Sequence, residues 1–85
     1  MNQSAPKRLA IIGATGSIGR QTLDILDRFP GLYLASVLSA GSKVEDLAAL
    51  AIRHRPRLAV IGRPELEGRL RELVRPYGIS TAPRP

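Results

Sequence analysis

The sequence predicts an α/β fold, a parallel sheet whose strands are joined by helical crossovers, and three observations carry that reading. Short apolar runs at residues 9–12, 32–38 and 58–61 alternate with segments whose apolar residues recur at helical spacing. The breaks between them are only a few residues long and are rich in Gly, Pro and Ser. Three glycines, Gly13, Gly16 and Gly19, follow the first apolar run at the point where strand must turn into helix.

Residues 1–8 read as a polar, disordered lead-in containing Pro6, so order is expected from near residue 9 to the end of the 85-residue chain. Leu9, Ala10, Ile11 and Ile12 show no polar alternation, which suits a parallel strand buried on both faces. Ile18, Thr22, Ile25, Leu26 and Phe29 place a helix over residues 17–29 with that stripe against the sheet, and Pro30 and Gly31 stop it. Residues 32–38 form the second strand. The second helix opens on Ser42 and Glu45, spaced as a capping box, and buries Val44, Leu47, Ala48 and Ala51 before Pro56 ends it. Residues 58–61 are a third strand. Pro64 then starts a helix carrying Leu66, Leu70, Leu73 and Val74, Pro76 and Gly78 close it, and Ile79 begins a fourth strand. This order, with its short connections, implies right-handed crossovers. The fold class is therefore a Rossmann-like doubly wound parallel sheet, the first βαβαβα half only, with the first strand left as an open apolar edge.

The glycine turn has the spacing of a phosphate cradle. Gly13 can take the positive φ that leaves the strand, Gly16 lets amides approach a ligand, and Gly19 lets the helix pack closely. The helix beginning at Ser17 aims unpaired N–H groups and its positive dipole end over the turn, which favours a pyrophosphate. The spacing G-x-x-G-x-x-G is one residue longer in its first gap than the usual dinucleotide fingerprint, so the hydroxyls of Thr15 and Ser17 are available to a wider turn. A purely structural turn is the alternative reading of the same glycines.

Composition bounds the partners. With 44% hydrophobic residues but one Phe, two Tyr and no Trp, the core must be aliphatic. The absence of cysteine excludes disulfides, thiolate metal sites and a cysteine nucleophile. No stretch approaches the length of a membrane span, so no membrane partner and a cytoplasmic location are the expectation. The formal charge of +6 invites nucleic acid, but the basic residues are mostly Arg and no aromatic side chains are interleaved with them, so no nucleic-acid partner is expected. The densest group, Arg53, His54, Arg55 and Arg57, lies at a helix end, where cations complement the dipole. His54 reads there as solvated or satisfied.

Ligands of open α/β sheets bind beyond the carboxyl ends of the strands, which directs attention to the glycine turn, residues 39–43, Gly62 and Arg63. An NAD-specific fold places an acid after the second strand to hold the ribose. Here that turn has none, and Ser42 and Lys43 offer a hydroxyl and a cation suited to a 2′-phosphate. A capping Ser42 beside a solvated Lys43 is the plainer alternative. All seven acids fall on predicted helices, and no catalytic or metal-ligand pattern forms.

The stretch Gly13-Ala-Thr-Gly-Ser-Ile-Gly-Arg-Gln-Thr-Leu-Asp-Ile25 resembles the beginning of the 1-deoxy-D-xylulose 5-phosphate reductoisomerases. The segments Ser39-Ala-Gly-Ser-Lys-Val-Glu45 and Arg55-Pro-Arg-Leu-Ala-Val-Ile61 resemble the parts of that family around its second and third strands. The resemblance runs from Arg8 to about Gly78. It implies NADPH as cofactor, with Thr15, Gly16, Ser17 and Ile18 at its phosphates and Gly41, Ser42 and Lys43 at the adenosine ribose and 2′-phosphate. The family commonly has Asn where this chain has Lys43. For the full-length family the resemblance further implies a divalent metal (Mg or Mn), a small phosphorylated sugar substrate and a homodimer. It also implies conversion of 1-deoxy-D-xylulose 5-phosphate to 2-C-methyl-D-erythritol 4-phosphate in non-mevalonate isoprenoid biosynthesis. The family's metal and substrate residues come later than residue 85. Another NADP-dependent Rossmann oxidoreductase and a non-catalytic nucleotide-binding fragment are the competing readings.

Overall fold

Helical and extended segments fall where the periodicity places them, and a computed structural model describes residues 6–84. In chain order they are β1 (Lys7–Ile11), α1 (Ser17–Arg28), β2 (Tyr33–Ala40), α2 (Val44–His54), β3 (Leu58–Ile61), α3 (Glu67–Val74) and β4 (Ser80–Pro83). Single 3-10 turns, Pro64–Leu66 and Arg75–Tyr77, flank α3. The four strands are parallel in the order β1-β2-β3-β4. β1 starts at Lys7, so Lys7 and Arg8 belong to the sheet and not to a disordered lead-in; residues 1–5 lie outside the described residues.

Right-handed crossovers that all advance the same way place the three helices on one face of the sheet. β2 carries an extra residue relative to β1: Leu9 pairs with Ala35 but Ala10 with Val37, which leaves Ser36 as a bulge. The bulge shifts the side-chain alternation, so Ala35 before it and Leu38 and Ala40 after it all point into the core. Its carbonyl is not wasted, because the Arg57 amide donates to it at 2.8 Å on the way into β3.

The core is aliphatic throughout. Leu38, Leu47, Ile61, Leu70 and Val74 are fully buried, and among the described residues no polar side chain joins them. Each such Leu or Ile contributes roughly 1.5–3 kcal/mol on leaving water. Val44, Leu47, Ala48 and Ala51 form the buried side of α2 as the spacing predicts. Two expectations are corrected. The buried face of α1 is Gly19, Leu23 and Leu26, while Ile18, Ile25 and Phe29 are exposed. Strand β1 is not buried on both faces: Ile11 is buried, yet Ile12 just beyond the strand is 74% exposed, because β1 is the sheet edge and one sheet face carries no helix.

The arginine-rich end of α2 is used locally. Arg53 donates to Asp27 at 2.7 Å and ties α2 to α1. Arg55 adopts a left-handed φ of 53° as the C-cap, its Nε donates to the Ile52 carbonyl at 2.8 Å, and its guanidinium lies 5.0 Å from the Tyr77 ring centroid. The His54 side chain is only 9% exposed and sits 3.9 Å from Asp27. Burial lowers its pKa, and Asp27 only partly opposes that shift. A histidine with a depressed folded pKa takes up its proton more readily unfolded, so its stabilising contribution is present above the ordinary value and is lost as pH falls through the folded one. Urea melts should therefore show stability declining as pH falls below the ordinary histidine value of about 6.5, with a shallower decline in His54→Gln. An unchanged slope in that variant would assign the acid sensitivity elsewhere.

Candidate functional site

Everything at the carboxyl end of the sheet is organised by how the chain leaves β1. Gly13 takes a left-handed φ of 69°, a conformation costly for any residue with a Cβ, and turns the chain out of the strand. Ala14 is fully buried, and its amide donates to the Ser39 carbonyl at 2.8 Å, which stitches the glycine turn to the end of β2. The Gly16 amide donates back to the Gly13 carbonyl at 3.0 Å and closes the turn.

Gly19 has no room for a side chain. A Cβ there would lie 2.3 Å from the Gly13 carbonyl oxygen and 2.7 Å from the Ala14 Cα, so α1 rests backbone to backbone on the turn. Gly16 differs. It is the N-cap of α1 at φ −82° and ψ 175°, ordinary extended backbone, and a Cβ would meet only the Gly13 oxygen at 3.4 Å. Nothing within the protein requires glycine at this position.

The first intrahelical bond of α1 runs from the Arg20 amide to the Gly16 carbonyl at 2.9 Å, so the amides of Ser17, Ile18 and Gly19 precede the helical ladder. No side chain caps this helix end and its first turn holds no acid. Gly16, Ser17 and Ile18 are exposed and Thr15 is half-buried. Ile18 is 79% exposed, well beyond what an ordinary helix interior would leave in water. An uncapped positive dipole end, flanked by exposed small residues, is suited to an anion.

Gly41, Ser42 and Lys43 form the neighbouring turn, and all three are exposed. The expected capping box does not form. Lys43, not Ser42, is the N-cap of α2, no side chain caps the helix, and Ser42 takes part through its carbonyl, which accepts from the Val44 amide at 2.9 Å. A one-residue shift removes the box, because with Lys43 as N-cap Glu45 stands one position too early to reach back. Glu45 instead accepts from Arg69 of α3 at 3.3 Å. Lys43 makes no ion pair with a described residue, and the turn contains no acid before Glu45.

An open cleft of about 290 Å³ runs along β2 and β3 at their carboxyl ends, with walls that include Ile12, Gly13, Val37, Ser39, Gly41, Val60, Gly62 and Arg84. Gly41 is the one predicted binding residue that lines it; Thr15 to Ile18, Ser42 and Lys43 lie outside its walls. The third strand's turn is clipped to the second's, with the Gly62 amide donating to Ala40 at 2.7 Å and the Arg63 amide to Gly41 at 3.1 Å. Gly62 and Arg63 were singled out by their place after a strand. Arg84 was not: its position at the cleft depends on β4 pairing with β3, where its amide donates to the Ile61 carbonyl at 2.9 Å.

Comparison with known proteins matches residues 9–82 to the family model described as 1-deoxy-D-xylulose 5-phosphate reductoisomerase. The chain belongs to the 1-deoxy-D-xylulose 5-phosphate reductoisomerase family. A reductoisomerase of Xanthomonas oryzae pv. oryzae (strain PXO99A) is 51% identical over 81 residues, which are 95% of this chain and 20% of that protein. One from Pseudomonas putida is 44% identical over 78 residues, 92% of this chain and 20% of the relative. The chain thus spans about a fifth of the length of the reductoisomerases it matches. Among solved structures, the Zymomonas mobilis reductoisomerase in complex with NADPH superposes with a TM-score of 0.87 at 37% identity, covering 92% of this chain and 21% of that one. A reductoisomerase in complex with NADPH, fosmidomycin and magnesium gives 0.85 at 32% identity, covering 92% and 19%. The family match extends four residues beyond Gly78, into β4, and so takes in a strand that the motif resemblance stops short of.

The close contact at Gly19 yields a direct expectation. Gly19→Ala should destabilise the protein by about 1–3 kcal/mol, the usual cost of overpacking, since the atoms it meets are backbone and cannot swing aside. Thermal melting followed by circular dichroism measures this. A melting temperature equal to the parent's would mean that α1 is not seated on the turn.

Proposed function

We propose that this chain is the NADPH-binding part of a reductoisomerase that converts 1-deoxy-D-xylulose 5-phosphate to 2-C-methyl-D-erythritol 4-phosphate in isoprenoid precursor synthesis. The observation that carries the reading is the uncapped, acid-free N-terminus of α1 over a glycine turn, in a family whose solved members include NADPH complexes. In this reading the Thr15, Gly16, Ser17 and Ile18 segment receives the cofactor phosphates through its amides and hydroxyls. Gly41, Ser42 and Lys43 receive the adenosine ribose and its 2′-phosphate. The bound cofactor supplies a hydride; the residues of this chain hold and orient it. The exposed Ser42 and the Lys43 cation, which has no ion-pair partner among the described residues, support the second assignment.

A divalent metal, which accompanies some structures of the family, does not fit this chain. Among the described residues no three His, Cys, Asp or Glu side chains come together in a way that could hold one. Metal and sugar phosphate would fall to other parts of a full-length enzyme, which the resemblance implies is a homodimer. An apolar surface supports a larger whole: Ile12, Ile18, Ile25, Phe29, Leu32 and Leu34 are all exposed on and around the β1 edge. No helix among the described residues is long and apolar enough to cross a membrane.

Calorimetric titration of the two nicotinamide cofactors tests the assignment. NADPH should bind more tightly than NADH, and Lys43→Glu should cost NADPH on the order of 1.5–3 kcal/mol, the worth of a charge-assisted contact. Equal affinities in the parent would remove the 2′-phosphate role from the second turn.

Gly16 tests the first turn. Its φ of −82° tolerates a β-branched residue, so Gly16→Val should stay folded by circular dichroism yet lose NADPH binding, since the new methyl groups occupy the phosphate position. Thr15→Val, the control, removes one hydroxyl at constant shape and should cost only about 0.5–1.5 kcal/mol. A folded Gly16→Val that binds like the parent would reduce the glycine stretch to a structural turn.

A further inference from the structure

Arg20 stands one turn into α1, outside the segments assigned to the cofactor, yet its side chain folds back onto the glycine turn. Its Nε donates to the Thr15 carbonyl at 3.1 Å. The same peptide unit is held at its other end, where the Gly16 amide donates to the Gly13 carbonyl at 3.0 Å. A terminal guanidinium nitrogen of Arg20 lies 3.6 Å from Asp46 in the first turn of α2. The guanidinium thus spans from the phosphate turn to the helix that follows the ribose turn.

A peptide unit next to glycine rotates easily, because glycine accepts both signs of φ. Rotation of the Thr15–Gly16 unit would swing the Thr15 carbonyl, the negative end of its dipole, toward the anion position in front of Ser17 and Ile18. We propose that Arg20 is a positioning residue that locks this unit, keeping the Thr15 carbonyl turned away and the helix amides open to the cofactor phosphates. The proposal rests on the cofactor reading above. Both side chains of the Arg20 and Asp46 pair are about half exposed, at 52% and 50%, so water screens it and it adds little to stability. Its effect is on orientation.

The test compares the 85-residue parent with Arg20→Lys and Arg20→Met in calorimetric titrations of NADPH and NADH, with thermal melts alongside. Lysine keeps the positive charge but puts a methylene where Nε donates. Both variants should melt as the parent does, and both should weaken NADPH and NADH alike by about threefold to tenfold, the worth of one hydrogen bond expressed in the binding of the shared pyrophosphate. Parent-like binding by Arg20→Lys beside a weakened Arg20→Met would make charge the cause and overturn the lock. A loss confined to NADPH would place the effect of Arg20 at the 2′-phosphate, by direct contact or through an Asp46 left unmatched, and would overturn the lock equally. Unchanged affinities in both variants, with a parent that binds, remove this proposal alone. A parent that binds neither nucleotide removes the cofactor reading and the lock together.

Discussion

The contact of Gly19 with the backbone of Gly13 and Ala14 is the constraint on which the rest of this structure depends. A helix that must touch a turn with a residue lacking a side chain has its rotation about its own axis fixed. Leu23 and Leu26, four and seven residues on, are then carried into the core, and Ile18 and Ile25 are carried outward. The same seating brings the start of α1 directly over the turn, so the open amides and the aliphatic core follow from a single contact. Ala14, fully buried and bonded to the end of β2, transmits that placement to the neighbouring strand.

From β2 the alignment passes along the sheet through main-chain bonds at the strand ends. Gly62 donates to Ala40, Arg63 to Gly41 and Arg84 to Ile61, each clipping one loop to the strand before it. The close approach of Gly62, where a Cβ would stand 3.0 Å from the Gly41 carbonyl oxygen, leaves the second turn little freedom to drift from the third. Helix packing on the other side is maintained by weaker devices. Arg53 with Asp27 and Arg69 with Glu45 join neighbouring helices at their solvent edge, where they set alignment more than energy.

How far the sequence reveals this depends on the distance over which each feature is encoded. The extent of β3 and the buried face of α2 follow from local periodicity alone, and both stand where the pattern puts them. The face of α1 does not, because two stripes compete on that helix and the more apolar one is the exposed one; only the Gly19 contact, a tertiary fact, chooses between them. The glycine turn was legible because strand, turn and helix are contiguous. Arg20 and Arg84 were not, since one reaches five residues back to Thr15 and the other is placed by β4 pairing with β3. The capping box failed for a smaller reason: its residues are present, but the helix starts one residue late.

Of the three helices that begin at the carboxyl end of the sheet, α1 and α2 follow the two candidate turns, and their first turns differ in charge. α1 has no acid in its first turn, whereas α2 begins with Glu45 and Asp46, which occupy its positive end with the protein's own negative charge. Left alone, those acids would repel a phosphate from the second turn. They are instead matched, Glu45 by Arg69 at 3.3 Å and Asp46 by Arg20 at 3.6 Å. What remains is Lys43, just ahead of them and without an ion-pair partner among the described residues. The second turn therefore presents a net positive charge delivered by one side chain, while the first presents backbone amides. A dinucleotide lying across both would find its pyrophosphate held by groups that any sequence of small residues can supply, and its distinguishing phosphate held by a single replaceable cation. On the proposed assignment, cofactor preference would change at Lys43, an exposed residue, without disturbing the fold, whereas the cradle cannot change at Gly19 without unseating α1.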